Sequence, residues 1–150
     1  MELRIAILEV GTISQSAPIE RSNSSIPVRF TSVFGLGRLG PVNGVWRSEE
    51  IPEVGNEYEV EVGIPESLVW GKTLTISDGQ TLEMWEEAGH VMITGRVDLV
   101  HDDDTLSVTL LGKATIVVGL EGISPDLTGR FVLMRVPSLD LWPGSDYSIA

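Results

Sequence analysis

A strict alternation of apolar and charged residues is the feature that most constrains the fold of this chain. In residues 57–62, EYEVEV, three glutamates alternate with Tyr58, Val60 and Val62. Successive side chains of a β-strand point to opposite faces, so this segment predicts a strand with one acidic and one apolar face. Such a strand needs a core on one side and water on the other, which is typical of antiparallel sheets.

The same period of two recurs along most of the chain, and short turn sequences such as SDGQ at residues 77–80 separate the runs. No segment has the apolar spacing of an amphipathic helix. We therefore predict an all-β fold, either a single antiparallel β-barrel (OB-like) or a β-sandwich with little helix. Gly95, in HVMITGRVDLVH (residues 90–101), is a position where a barrel strand could bend or bulge. The expected shared apolar faces are Val28, Phe30 and Phe34; Val91, Ile93, Val97 and Leu99; Leu106, Val108 and Leu110; Ala114, Ile116, Val118 and Leu120; and Val132, Met134 and Val136.

The length and apolar content fit one domain. With 150 residues and 42% hydrophobic residues, the chain can bury one core but is short for two. We therefore expect a single β-domain over residues 1–150. The polar, proline-bounded segment at residues 14–27, SQSAPIERSNSSIP, is expected to be a mobile loop.

The charge balance restricts the partners. The formal net charge is −12, from 22 carboxylates and 10 Lys and Arg. Nucleic-acid binding depends on neutralising phosphates, so we expect no direct nucleic-acid ligand and favour a basic protein. The absence of cysteine excludes disulfides and thiolate sites, and no apolar run is long enough for a membrane helix. The first residues, MELRIAILEV, lack the features of a signal peptide, so we expect a cytoplasmic protein with no membrane partner.

The spacing Gly35-x-Gly37-x-x-Gly40 matches the glycine fingerprint of dinucleotide-binding sites. That fingerprint requires a helix after the third glycine, whose amino terminus holds the pyrophosphate. Pro41 and the sequence NGVW favour a strand there instead. We therefore interpret the loop as a tight connection between two strands and expect no cofactor.

Catalytic and metal sites receive little support from the sequence. The run HDDD, His101 to Asp104, has metal-ligating groups, but it separates two strand-like segments and fits a polar hairpin tip. GISPD at residues 122–126 lacks the final glycine of a nucleophile elbow. A pair of acids suffices for carboxylate catalysis, and with so many acids this condition carries almost no information. We expect no metal site and no catalytic residue.

A partner-binding surface is the better-supported hypothesis. Trp85 falls on the wet face of its strand among carboxylates, which is the composition of a contact that meets Arg or Lys, although a packing role under a loop is an equal alternative. Acidic residues are concentrated in residues 49–66 and 83–104. These two segments are either a solvated face or a surface that steers a basic partner. The predicted partner-binding residues are Trp85, Glu86, Glu87, Asp102, Asp103, Asp104, Glu49, Glu50 and Glu53.

Two segments resemble a protein family. VGNEYEVEVGIPESLVWG (residues 54–71) and GRFVLMRVPSLDLWPGS (residues 129–145) are similar to small acidic all-β immunity proteins of bacterial polymorphic-toxin and contact-dependent growth inhibition systems. The resemblance implies a cytoplasmic protein that binds one cognate toxin domain and occludes it by stoichiometric contact. Many such toxins are basic nucleases, so the resemblance implies a basic partner.

Two other functions remain open from the sequence. The barrel-like strand pattern is compatible with an OB-like domain that binds a ligand or an oligonucleotide, although a basic groove with stacking aromatics is not evident. A carboxylate-dependent hydrolase or isomerase is the remaining alternative, and no substrate is indicated for it.

Overall fold

The structure is a computed structural model that describes residues 3–11 and 25–144. These residues form twelve β-strands and one 3-10 turn, and none of their segments is a helix that could cross a membrane. The strands are β1 (Leu3–Val10), β2 (Ile26–Ser32), β3 (Val42–Trp46), β4 (Glu57–Gly63), β5 (Leu68–Val69), β6 (Leu74–Ile76), β7 (Met84–Glu87), β8 (His90–Val100), β9 (Thr105–Thr109), β10 (Thr115–Glu121), β11 (Phe131–Val136) and β12 (Leu139–Pro143), with the 3-10 turn Leu111–Lys113 between β9 and β10.

Five strands close into a barrel in the order β1-β2-β3-β12-β4. Neighbours are antiparallel except β3 and β12, which run parallel. This order, with the third strand parallel to the last, is the topology of an OB-type Greek-key barrel. Its fourth and fifth strands, β4 and β12, are separated in sequence by all the strands from β5 to β11. The barrel is thus interrupted at one point by an inserted sheet.

The inserted sheet has the order β5-β10-β9-β8-β11-β6, and β7 pairs with the first part of β8. Its pairs are antiparallel except β5 with β10. The two outer strands meet through the turn after β5, where the Gly71 N–H donates to the Leu74 carbonyl (2.9 Å) and Trp70 bridges to Leu74. The inserted sheet therefore nearly closes on itself.

The predicted alternation of buried and exposed residues is observed in strands of both sheets. In β4 the three apolar residues of EYEVEV are buried and the three glutamates are exposed. Strands β9, β10 and β11 bury alternate residues in the same way. The buried side chains form one continuous cluster, with Trp46 and Phe30 among its largest members. The prediction of an all-β, barrel-containing, mainly antiparallel fold is confirmed.

Two positions predicted to lie in the core are exposed instead, each for a local reason. Phe34 is 58% exposed because β2 ends at Ser32 and the chain then leaves the sheet. Leu99 is 53% exposed because the pairing of β8 with β9 shifts register between Val97 and Leu99. A β-bulge at that point turns the following side chain to the opposite face.

Most of the loop predicted at residues 14–27 lies outside the described residues. Its last two residues, Ile26 and Pro27, belong to β2 and pair with Trp46 and Val45 of β3. The loop therefore ends earlier than the sequence predicts.

Gly95 lies where β8 changes partner along one edge, because pairing with β7 ends at Ile93 and pairing with β9 begins at Arg96. A Cβ added at Gly95 would overlap the Cγ1 atom of buried Val108 and lie 3.2 Å from the Met134 Cε atom. We expect Gly95→Ala to lower the free energy of unfolding by about 1–3 kcal/mol, the usual cost of overpacking a core. Urea unfolding measures this change.

The matched control is Gly79→Ala, because a Cβ at that exposed position meets no atom within 4 Å. We expect its free energy of unfolding to stay within about 0.5 kcal/mol of the parent chain. Equal stability of the two variants would contradict the packing assigned to Gly95.

Candidate functional site

The glycine-rich loop between β2 and β3 has backbone angles that favour glycine at three positions. The φ angles of Gly35, Gly37 and Gly40 are 142°, 78° and 117°. Side-chain-bearing residues rarely adopt such angles, whereas glycine does so at no steric cost. The strand β3 follows Gly40, so there is no helix amino terminus to hold a pyrophosphate. The interpretation of this loop as a strand connection is confirmed.

The same loop ties the barrel to β7 of the inserted sheet through Arg38. The Arg38 carbonyl accepts the N–H of Met84 (2.8 Å), and Arg38 Nε donates to Glu83 Oε1 (2.7 Å). The guanidinium carbon lies 3.6 Å from the ring centroid of Trp85. Trp85 Nε1 in turn donates to Glu87 Oε2 (3.2 Å). Trp85 therefore already carries a cation from its own chain on its ring.

Glu86 is also used within the chain. Its carboxylate accepts from Arg29 Nη1 (2.9 Å) and from the backbone N–H of Asn43 (2.8 Å). Only 23% of the Glu86 side chain is exposed. Glu86 thus links β7 to β2 and β3 of the barrel, and we leave it out of the partner surface.

A groove of about 410 Å³ opens beside the same two barrel strands. OB-type barrels commonly bind ligands on the face of their second and third strands. On that face, the Arg29 guanidinium and the backbone N–H of Asn43 are both hydrogen-bonded to Glu86. The groove is lined by Glu9, Val10, Gly11, Pro27, Val28, Arg29 and Asn43, so it holds one acid and one base.

Asp102, Asp103 and Asp104 form the exposed turn between β8 and β9, as the sequence predicts for a hairpin tip. Thr105 Oγ1 donates to Asp103 Oδ1 (2.6 Å), and this hydrogen bond lowers the pKa of Asp103. The Asp104 carbonyl accepts the N–H of Leu120 (2.9 Å), which holds the turn against the end of β10.

The aspartate turn is not arranged as a metal site. His101 Nε2 is hydrogen-bonded to Ser107 Oγ at 2.7 Å. Within residues 3–11 and 25–144, no group of three or more His, Asp and Glu side chains is placed to hold a metal ion.

The remaining predicted acids lie in the loop between β3 and β4. The Glu50 carbonyl accepts from Trp46 Nε1 (2.8 Å), and the Glu53 N–H donates to the Tyr58 hydroxyl (2.9 Å). Glu53 Oε1 accepts from Asn56 Nδ2 at 2.9 Å. These bonds fix the loop, and the exposed carboxylates of Glu49 and Glu50 have no bonded partner among the described side chains.

The predicted residues do not converge on one place. Trp85 and Glu87 lie near the start of β8, since Glu87 pairs with His90. The aspartate turn follows the end of β8, about 30 Å away along the strand at ~3.3 Å per residue. Glu49, Glu50 and Glu53 lie on the barrel. The chain therefore presents separate acidic regions.

The structure does bring together a different set on the outside of the barrel. We call the outward-facing residues Glu57, Glu59, Glu61 and Trp142 of β4 and β12 the barrel face. Trp142 pairs with Glu61 across the two strands, and its side chain is 48% exposed. Arg4 of β1 donates to Glu57 (2.9 Å) and contacts Glu59 (3.5 Å). Glu61 has no hydrogen bond or ion pair with the residues that the structure describes.

An ion pair lies beside the barrel face. Asp140, on β12 and 7% exposed, accepts from Arg47 Nη2 at 3.0 Å. The Arg47 guanidinium carbon is 6.0 Å from the ring centroid of Trp142. On the other side, a Cβ added at Gly63 would lie 3.4 Å from Trp142 Nε1, so the indole approaches the backbone of β4 closely.

The sequence also indicates that Trp142 faces outward, although Trp142 is not among the predicted partner-binding residues. In the segment LDLW, residues 139–142, the two leucines alternate with Asp140 and Trp142. Leu139 and Leu141 are fully buried, so the same period of two places Trp142 on the outer face. That rule also placed Trp85 outward, but only the tertiary structure distinguishes the covered indole from the exposed one.

Comparison with protein-family models, curated proteins and solved structures finds no match for this chain. The resemblance to immunity proteins therefore stays a hypothesis.

The contact of Arg38 with Glu83 predicts a pH dependence of stability. The hydrogen bond from Arg38 lowers the pKa of Glu83 from its ordinary value of 4.5. Folding thus favours the ionised carboxylate, and this stabilisation is present above the ordinary pKa and lost as the pH falls through the lowered value. We expect the melting temperature of the parent chain to fall more between about pH 5 and pH 3 than that of Glu83→Gln. Scanning calorimetry over this range measures the difference.

Glu66→Gln is the matched control, because Glu66 is exposed and has no bonded partner in the described part of the chain. Its melting curve should keep the steep acid dependence of the parent chain. An acid dependence of Glu83→Gln as steep as that of the control would contradict the assignment.

Proposed function

We propose that this protein is a stoichiometric inhibitor of a basic protein, of the immunity type, which binds a cognate toxin domain in the cytosol and occludes it. The observation that carries the proposal is the barrel face, where Trp142, with its exposed indole, is paired with Glu61 across β12 and β4. Aromatic anchors surrounded by polar groups are typical of the residues that contribute most to protein–protein binding.

The rigidity of this surface supports a binding role. β4 is paired on both sides, with β1 and β12, in a closed barrel. Its inward residues Val60 and Val62 are buried in the core. A surface whose backbone is fixed before binding loses little conformational entropy when a partner docks.

The charge of the molecule supports a basic partner. The net charge of −12 attracts cations over a long range, and the exposed aspartate turn and the loop carboxylates of Glu49 and Glu50 extend this field beyond the barrel face. In the proposed mechanism these distant acids speed the encounter, and the barrel face makes the close contact. Occlusion needs no catalytic group.

The shifted carboxyl pKa values give no support to general acid catalysis. Among the residues that the structure describes, a hydrogen bond from Arg38 lowers the pKa of Glu83, one from Thr105 lowers that of Asp103, and backbone bonding to Thr128 lowers that of Asp126. A general acid at neutral pH requires a raised pKa instead. The hydrolase or isomerase alternative gains no support from these three groups.

The test of this proposal begins with the reading frame beside the gene. Its product is co-expressed with this protein, and the pair is examined by growth and by size-exclusion chromatography. We expect a toxic product whose effect this chain suppresses, and a complex of one copy each. A non-toxic product, or a toxic product that forms no complex with this chain, would contradict the proposal.

Association kinetics test the electrostatic part. We expect Glu59→Gln with Glu61→Gln to slow association with that partner by about 3- to 10-fold at low salt and to weaken its salt dependence, because both charges face the partner. The control variant, Asp78→Asn with Glu121→Gln, has the same net charge but alters the inserted sheet. Equal effects of the two double variants would show that the net charge of the molecule, and not the position of the barrel face, sets the association rate. That result would contradict the role assigned to the barrel face.

The OB-type strand order favours one second candidate, an oligonucleotide-binding domain. Against it, Arg29 on the β2–β3 face is paired with Glu86 at 2.9 Å, and the molecule as a whole repels phosphates. We expect the anisotropy of fluorescein-labelled single-stranded DNA and RNA to stay unchanged at low salt. Saturable binding would favour the OB-like function instead.

A further inference from the structure

We infer that Trp142 and Glu61 form a seat for one arginine side chain of the protein partner. The inference rests on the proposed function, because it places that arginine on the bound protein. It adds the chemistry of the central contact: a guanidinium stacked on the Trp142 ring and paired with the Glu61 carboxylate.

The chain already contains an occupied seat of this kind. The Arg38 guanidinium carbon is 3.6 Å from the centre of the Trp85 ring, and Arg38 Nε is 2.7 Å from Glu83 Oε1. Glu83 and Trp85 approach Arg38 from neighbouring positions along one segment of chain. An indole and a carboxylate two residues apart therefore both contact one guanidinium in this protein.

The barrel face also has an indole and a carboxylate on paired positions. No guanidinium of the described residues bridges these two groups. Trp142 and Glu61 are directly opposite on β12 and β4, and both point outward. Side chains opposite each other in an antiparallel pair have Cβ atoms about 4.5–5.5 Å apart, close enough to share one ligand. Glu61 lacks a bonded partner in the described structure, and nearly half of the Trp142 side chain is exposed, at 48%.

The surroundings of Trp142 hold the seat in place and keep it receptive to a cation. Gly63 lets the indole lie close to β4, since a Cβ there would be 3.4 Å from Trp142 Nε1. The nearby Arg47 lies 6.0 Å from the ring centroid, at the outer limit of a cation–π contact. Its charge is balanced by Asp140 at 3.0 Å, so an incoming guanidinium does not meet an uncompensated positive charge.

Arginine fits this seat better than lysine. The guanidinium is planar and weakly hydrated, so it can stack on an indole and donate to a carboxylate through its edge at the same time. A lysine ammonium is a compact, strongly hydrated charge that satisfies one of these contacts at a time. The inference therefore predicts discrimination between the two cations.

The first experiment titrates the ¹⁵N-labelled chain with the capped tripeptide Ac-Gly-Arg-Gly-amide and follows the four indole N–H signals by NMR. We expect a saturable shift of the Trp142 signal, at least threefold smaller shifts with the Lys and citrulline peptides, and no shift of the Trp85 signal. The affinity for the Arg peptide should fall at least threefold in Glu61→Gln, while Glu121→Gln should leave it unchanged. Equal shifts with Arg and citrulline peptides, or no shift at Trp142, would overturn the inference.

The second experiment uses the protein partner and separates this inference from the proposed function. We expect Trp142→Ala to weaken the complex at least tenfold and Glu61→Gln to weaken it severalfold, with the far-ultraviolet circular dichroism of both variants unchanged. A tight complex that neither variant weakens would overturn the arginine seat and leave the inhibitor function standing. A selective arginine shift at Trp142 with no inhibited partner would support the seat and contradict the inhibitor function.

Discussion

The carboxylate of Glu86 joins β7 of the inserted sheet to β2 and β3 of the barrel, next to the place where Arg38 contacts Trp85. One oxygen binds the Arg29 guanidinium at 2.9 Å, and the other accepts the Asn43 N–H at 2.8 Å, one residue before the ladder of β3 with β12 begins at Gly44. The side chain thus satisfies a backbone donor that the barrel itself leaves unpaired. Next to this junction, the half-buried ring of Trp85 lies under the guanidinium of Arg38.

The position of the insertion determines which surface remains for a partner. The chain leaves the barrel after β4 and returns to it as β12, and these two strands pair with each other. Their outer sides carry Glu61 and Trp142, so the point of interruption is also the point where an acidic strand meets an exposed indole. The β2–β3 side, which OB-type barrels use for ligands, is bonded to the inserted sheet instead. The strand order is that of an OB-type barrel, but the exposed indole and carboxylate proposed for binding lie on β12 and β4 and not on β2 and β3.

The sequence predicts the strands well because alternation is a local property. It places the residues of EYEVEV on their correct faces and excludes the helix that a nucleotide site would need after Gly40. It places Leu99 wrongly because a single register shift reverses the side chains that follow, and periodicity carries no sign of the shift. The sequence does not show which of Trp85 and Trp142 is exposed, since the period of two places both side chains on the outer faces of their strands. The contact that distinguishes them is that of Arg38, in the loop between β2 and β3, which covers the ring of Trp85.

The exposure of the two indoles is the most direct test of this account. Acrylamide quenching of tryptophan fluorescence is compared in the parent chain, Trp85→Phe and Trp142→Phe, each checked for unchanged circular dichroism. We expect Trp142→Phe to remove the most readily quenched component, since Trp142 is 48% exposed, whereas Trp46 is fully buried, Trp70 packs partly buried against the core and Trp85 is covered by Arg38. Loss of that component in Trp85→Phe, with quenching of Trp142→Phe unchanged, would contradict it.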